Sequence, residues 1–335
     1  MLSQNKPHDC VITMEKLHEP VLLDEVLTAL APTPAVVVVD ATLGGAGHFA
    51  GLLGALGEGG VIIGIDADPE AVLRAREVYA QDRRPERPIA HLVVDNFRNL
   101  TRILERLNLP RVDAMLFDLG WSGYQLASSR GFSFASLDQP LLMTYGLLGA
   151  DTGAASAADL VNTLPEDALA DIIFSYGEER FARQIAASIV SARAKERILT
   201  VGGLVAAIEA GTPRWYHERH LSPATKTFQA LRIAVNDELG ALSEGLAAAL
   251  PLLAEGGRLA IITFHSAEDR IVKRALQAAE VSGIGSLSPK KPIVPTRAEV
   301  MRNRRARSAK LRVFVRAKAT TPVSASTHTP LFSYA

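Results

Sequence analysis

The most constraining stretch of the chain is Val36-Val37-Val38-Val39-Asp40, β-branched residues closed by an acid, followed at once by Ala41-Thr42-Leu43-Gly44-Gly45-Ala46-Gly47-His48. Four valines in succession show no alternation of apolar and polar positions. They predict a strand covered on both faces, as strands inside parallel sheets are. The glycine-rich segment behind them predicts a tight turn into a helix, where the backbone can approach a ligand closely. A second run, Val61 to Ile65, ends on Asp66 and leads to a helix near Asp68-Pro69-Glu70. Further apolar runs at 91–94 and 112–117 continue the alternation. Strands and helical patterns alternating at this spacing build a doubly wound, Rossmann-like α/β sheet.

The alternation stops after Phe117. From about 123 to 222 the pattern is helical: Thr163-Leu164-Pro165-Glu166 has the form of a capping box, and apolar positions follow at Leu169, Ile172, Ile173 and Tyr176. Gly177 is placed to end that helix, and another is expected over 178–193. This stretch predicts an inserted all-helical lobe. The α/β pattern resumes with one long amphipathic helix over about 227–253. The tight turn Glu255-Gly256-Gly257 then feeds a strand at 258–264, and a final strand at 311–315 closes the sheet. The organisation expected is a flexible arm at 1–17, a cofactor-binding domain from 18–122 and 223–318, a helical insertion at 123–222, and a mobile tail at 319–335.

Basic and acidic residues balance at 36 each, but not along the chain. Eleven Lys/Arg and one acid, Glu299, lie between Lys290 and Lys318, so the rest of the chain is acidic. A basic segment on an acidic body points to a polyanionic partner. The lone Cys10 excludes an intrachain disulfide and a cysteine-based zinc site, and fits a reducing cytoplasm. No metal site is expected. No secretory leader pattern is present, and no apolar run is long enough to span a bilayer, so no membrane partner is expected.

Asp66 ends the second strand, where it can accept hydrogen bonds from both hydroxyls of an adenosine ribose. Both NAD and S-adenosylmethionine carry such a ribose. Asp40 separates them: a carboxylate beside the glycine loop repels a pyrophosphate but tolerates a sulfonium and an ammonium. Methyl transfer is therefore favoured over nicotinamide chemistry and over a plain strand-to-helix turn with an incidental acid. Asp95-Asn96-Phe97, after the third strand, suits an adenine, though Phe97 fits a core position equally well. Asp118, after the fourth strand, lies at the edge where reacting groups gather. Methylating a ring carbon usually needs a cysteine nucleophile, and Cys10 precedes the first strand. Transfer to an amine or hydroxyl needs only placement and a hydrogen-bond acceptor, a role Asp118 can fill. The Asn/Asp-Pro-Pro-aromatic signature of many amino methyltransferases is absent.

Several longer motifs resemble one family, the bacterial RsmH (MraW) methyltransferases of small-subunit ribosomal RNA. They are HEPVLLDEVL at 18–27, DATLGGAGH at 40–48, FDLG at 117–120, RGFSF at 130–134, TKTFQALRIAVNDEL at 225–239, FHSAEDRIVK at 264–273 and RARSAKLR at 305–312. The resemblance covers His18 to about Val315. It implies a class I S-adenosylmethionine-dependent fold with a helical insertion after the fourth strand. It also implies methylation of N4 of cytosine 1402 of 16S rRNA, with the small ribosomal subunit as partner and homodimerisation left open. The family's cofactor-binding positions correspond to Ala46, Gly47, His48, Asp66, Phe97, Asp118 and Gln125.

This chain departs from the family pattern in three places. Ala46 stands where a glycine is usual. Trp121-Ser122-Gly123-Tyr124-Gln125 replaces Val-Ser-Ser-Pro-Gln. After RGFSF, two carboxylates and an arginine are replaced by Leu142, Gly146 and Thr144. The last departure raises a rival reading, a catalytically weakened relative that serves as an rRNA-binding assembly module. Of the remaining motif residues, His265 ends the fifth strand beside the expected base pocket. Arg232, Asn236 and Asp237 share a helix and can pair with one another. Arg304, Arg305 and Arg307 are candidates for phosphate contact.

Overall fold

The computed structural model describes residues 19–120, 122–146, 155–217 and 222–318. The expected arm at 1–17 and tail at 319–335 lie outside these residues, as do Cys10 and Trp121. The strands are β1 Val37–Asp40, β2 Val61–Asp66, β3 Ile89–Val94, β4 Val112–Asp118, β5 Leu253–Thr263, β6 Gly285–Leu287 and β7 Lys310–Arg316. They form one sheet in the order β3-β2-β1-β4-β5-β7-β6. β1 to β5 pair in parallel, and β7 runs antiparallel between β5 and β6. The final strand therefore does not close the sheet; the three-residue β6 does.

Before and between the first strands lie α1 Leu23–Leu30, α2 Gly47–Ala55, α3 Pro69–Gln81 and α4 Leu100–Arg106. Val38, Ile62, Leu116, Ile262 and Val313 pack beneath α1, α2 and α3 on one face of the sheet. Val39, Ile63, Met115, Phe117, Ile261 and Phe314 pack on the other face. Consecutive strand residues are thus buried on opposite sides, which is why the runs do not alternate. Each fully buried side chain of this size contributes about 1.5–3 kcal/mol.

The lobe follows β4 with α5 Gly123–Ala127, α6 Ala157–Thr163, α7 Glu166–Gly177, α8 Ala182–Arg193, α9 Val201–Ala210, α10 Arg214–His217 and α11 Ala224–Asn236. It has its own core, from Phe132 and Leu141 through Ile173, Ile185 and Leu204 to Phe228 and Leu231. Gly177 does end α7. The capping box expected at Thr163 does not form: α7 starts on Pro165 without a side-chain cap, and Thr163 Oγ1 donates instead to the Asp159 carbonyl.

The long helix expected over 227–253 is two helices, α11 and α12 Glu238–Leu252, divided at Asp237, whose φ of 46° is left-handed. Asp tolerates that region better than most residues. Gly240 makes room for it, since a Cβ there would lie 2.4 Å from Asp237 Oδ1. The break separates two functions of packing: α11 joins the lobe core, whereas Leu242 and Leu246 of α12 cover the sheet. Glu255-Gly256-Gly257 is likewise not a turn before a strand but an irregularity inside β5, which begins at Leu253. The chain ends with α13 Ser266–Val281, α14 Arg297–Arg302 and a 3₁₀ turn, Arg304–Ser308, ahead of β7.

Candidate active site

Parallel pairing brings the carboxyl ends of β1, β2 and β4 to one sheet edge, and with them Asp40, Asp66 and Asp118. A cleft of about 480 Å³ opens there between the sheet edge and the lobe. Its first wall is the loop after β1. Gly44 has φ 48°, and its N–H donates to Asp66 Oδ2 at 2.8 Å, while Asp68 N–H donates to Asp66 Oδ1 at 2.8 Å. Asp66 thereby fixes the loop. Burial pushes its pKa up to about 6, against those two hydrogen bonds, which lower it. Gly47 is required by a close approach: a Cβ on it would sit 3.0 Å from Pro20 of the HEPV motif.

Ala46 occupies a left-handed conformation at φ 63° as the N-cap of α2, and its methyl group is buried in the core. The backbone has kept the glycine-like geometry and absorbed the β-carbon. Neither Ala46 nor His48 lines the cleft; they lie directly behind it, whereas Gly47, Asp66, Phe97, Asp118 and Gln125 all line it. Asp40 is also behind the surface and wholly buried. Its Oδ1 accepts from Thr42 N–H, its Oδ2 has no partner, and burial raises its pKa to about 7.

Phe97 proves to be both core and cleft. Its ring meets Phe117 edge-on at 5.3 Å and presses on Gly245, yet it borders the cleft beside Asn96. Gln125 closes a capping box with Ser122 at the start of α5: Ser122 N–H donates to Gln125 Oε1 at 2.9 Å. That contact fixes the amide, whose nitrogen is its donor toward a ligand. Asp118 receives its place from Thr42, whose Oγ1 accepts the Asp118 N–H at 2.6 Å. Asp118 Oδ2 lies 3.3 Å from His48 Nδ1, and Oδ1 is buried without a partner.

The opposite wall comes from segment 130–146 with α11 and the start of α12. Arg232 binds Glu238 in bidentate fashion, both contacts at 2.8 Å, and Tyr145 Oη donates to the same carboxylate at 2.8 Å. Asn236 sutures the segment, donating to the Met143 carbonyl and accepting Tyr145 N–H. Arg130 of RGFSF donates to the Tyr145 carbonyl and to Asp68, tying lobe to sheet. The segment that replaces the family's charged residues is therefore closed by Tyr145 and by its own backbone. Of the three residues expected to pair on one helix, Asn236 donates to the Arg232 carbonyl at 2.9 Å, whereas Asp237 pairs with Arg98. Tyr145 and Glu238 were not singled out in the sequence, and 93 residues separate them.

His265 borders the cleft as the N-cap of α13, where its Nδ1 accepts Glu268 N–H and its Nε2 stands 3.0 Å from Glu268 Oε1. Glu238, His265 and Glu268 come within metal-ligand range of one another. Both Glu238 oxygens already serve Arg232, however, and Glu268 Oε2 accepts two backbone N–H groups, so the cluster is neutralised by protein donors. Arg304, Arg305 and Arg307 line the same cleft at its rim.

A glycine loop fixed by a strand-end acid, a phenylalanine after β3, and a carboxylate lining the cleft fit an adenosyl group bearing a positively charged sulfur. Fold and cleft define a class I S-adenosylmethionine-dependent methyltransferase. The profile of the MraW methylase family matches residues 15–317, and the chain belongs to that family. It is 48% identical over 305 residues to the ribosomal RNA small subunit methyltransferase H of Deinococcus radiodurans, covering 90% of each chain. It is 46% identical over 311 residues to the protein of the same name from Geobacter sulfurreducens, covering 88% of this chain and 97% of that one. No helix among the described residues is long and apolar enough to cross a membrane.

Proposed function

We propose that this enzyme methylates the exocyclic N4 amine of cytosine 1402 in the 16S rRNA of the small ribosomal subunit, in the cytoplasm. Membership of the family and the name its relatives carry support the substrate class. The single structural observation behind the chemistry is Asp118, which lines the cleft with its Oδ2 held against His48 and its Oδ1 buried without a protein partner. S-adenosylmethionine, when bound, supplies a methyl group made electrophilic by the adjoining sulfonium.

The protein's own residues have four tasks. Asp66 would hold the ribose hydroxyls, Phe97 the adenine face, and Gln125 with the Gly47 loop the amino-acid end; Ala46 and His48 act from behind that surface. Asp118 would accept one N–H of the target amine. A pyrimidine amine is a weak nucleophile because its lone pair is delocalised into the ring. A carboxylate on one N–H favours the rehybridisation that localises the lone pair, and stabilises positive charge developing on nitrogen. As the new N–C bond forms, the methyl group's bond to sulfur would break with its electron pair left on sulfur, while the N–H pair would stay on nitrogen and the proton pass to Asp118. The lobe and its Tyr145–Arg232–Glu238 frame form the wall against which a base flipped from its stack would rest. The rim arginines face the backbone phosphates of such a strand.

The test is methyl transfer from labelled cofactor to purified small subunits that lack the modification, followed by nuclease mapping. Label confined to a fragment containing cytosine 1402 supports the proposal. Label elsewhere, or on the ribose alone, removes it.

A further inference from the structure

The three groups behind the cleft, Asp40 from β1, His48 from α2 and Asp118 from β4, are more than a packing layer. His48 is almost fully buried, and both of its ring nitrogens face oxygen: Nε2 lies 2.9 Å from the Val21 carbonyl and Nδ1 lies 3.3 Å from Asp118 Oδ2. A carbonyl oxygen only accepts, so Nε2 carries a hydrogen. The second contact then requires a proton as well, because a bare Nδ1 lone pair would confront a carboxylate lone pair. His48 and Asp118 therefore share one proton between them, whichever of the two holds it.

We infer that His48 is the positioning residue of Asp118: it carries a hydrogen on each ring nitrogen, anchors Oδ2 from behind, and so fixes the orientation of the Asp118 carboxylate at the cleft. This inference rests on the role given to Asp118 above. It assigns the His48 side chain to the acceptor and not to the cofactor, which agrees with its place behind the surface of the cleft. The titratable groups facing the ring are Asp118 and Asp40. Burial by itself would disfavour the imidazolium; the Asp118 charge and hydrogen bond, with Asp40, outweigh it and raise the His48 pKa. The HEPV motif enters the site by the same route, since Val21 supplies the carbonyl that fixes the ring.

Two measurements decide the matter. Nitrogen-15 NMR of the histidine rings, in the full chain without cofactor, should find both His48 nitrogens protonated at pH 7. A neutral ring with bare Nδ1 overturns the inference. Single-turnover transfer to small subunits at saturating cofactor should fall about 10²-fold in His48→Ala, the scale of a misplaced acceptor. It should recover in His48→Asn, whose amide can still donate to Asp118. Cofactor affinity should hold in both variants. A loss that tracks cofactor affinity and vanishes on saturation makes His48 a cofactor residue and overturns the inference. Should His48→Ala not fold, the NMR measurement and His48→Asn still decide. If the wild-type protein methylates no subunit, the substrate proposal fails, while the ring protonation reports on the pair independently.

Discussion

The two walls of the cleft are built on opposite principles. On the cofactor side, polar demand is left unmet: Asp118 Oδ1 and Asp40 Oδ2 are buried without partners, and burial pushes the pKa values of Asp40 and Asp66 up to about 7 and about 6. On the lobe side, both Glu238 oxygens are taken by Arg232, and Tyr145 donates to the same carboxylate. A wall with unmet demand gains from a ligand, and one that satisfies itself supplies a rigid surface. Substitutions should therefore damage binding and chemistry on the first wall, and folding on the second.

The largest effect expected is on chemistry. Asp118→Asn keeps the shape and removes the charge, so single-turnover methylation at saturating cofactor should fall by about 10²–10⁴ with RNA binding intact. A loss rescued by more cofactor would reduce Asp118 to a binding residue. On the opposite wall, Arg232→Met removes the bidentate partner of the part-buried Glu238 carboxylate, leaving it the Tyr145 hydroxyl, and should cost up to about 3–5 kcal/mol of stability in denaturant titration. Folded Arg232→Met protein should still bind cofactor normally. A large drop in cofactor affinity there would erase the distinction between the walls.

Asp66→Ala should weaken cofactor binding by about 2–4 kcal/mol, at roughly 1.5–3 kcal/mol per charge-assisted hydrogen bond with water partly substituting. Calorimetry on the folded variant checks this, and an unchanged dissociation constant rules out the ribose assignment.

Asp40 sharpens the comparison through pH. Its folded pKa is raised above the unfolded value, so the folded state holds a proton that the unfolded state has released. Its contribution to stability is then fully present below about 4 and is lost as pH rises toward about 7. Asp40→Asn removes that dependence. Its stability relative to wild type should climb across this window by at most about 1.4 kcal/mol per pH unit, then level off. Parallel stability curves for the two proteins from pH 5 to 8 would mean that Asp40 is not buried as an unpaired acid.

The cofactor wall was legible in the sequence because each of its acids ends its own strand and needs no distant partner to be recognised. Val36 to Asp40 announces both the buried strand and the loop. The lobe wall was not legible, since it is assembled from residues paired across more than ninety positions: Tyr145 with Glu238, and Tyr145 N–H with Asn236. Periodicity carries no information about such pairs. It also ran through Asp237, where an ordinary helix pattern hides a left-handed residue that only tertiary contacts stabilise. β6 escaped because Gly285-Ser286-Leu287 has no β-branched residue and is held as an edge by β7. The capping box expected at Thr163 does not form, and those that do form lie elsewhere. One of those that form uses a histidine, His265, which is not among the favoured cap residues.

The central claim is that this cleft delivers a methyl group to N4 of one small-subunit cytosine. Mass-spectrometric nucleoside analysis of 16S rRNA, from cells with the gene, without it, and complemented by the Asp118→Asn protein, tests that claim most directly. N4-methylated cytidine at position 1402 is expected in the first, its absence in the second, and little or no restoration in the third. Unchanged N4 methylation in cells lacking the gene, or full restoration by Asp118→Asn, would contradict it.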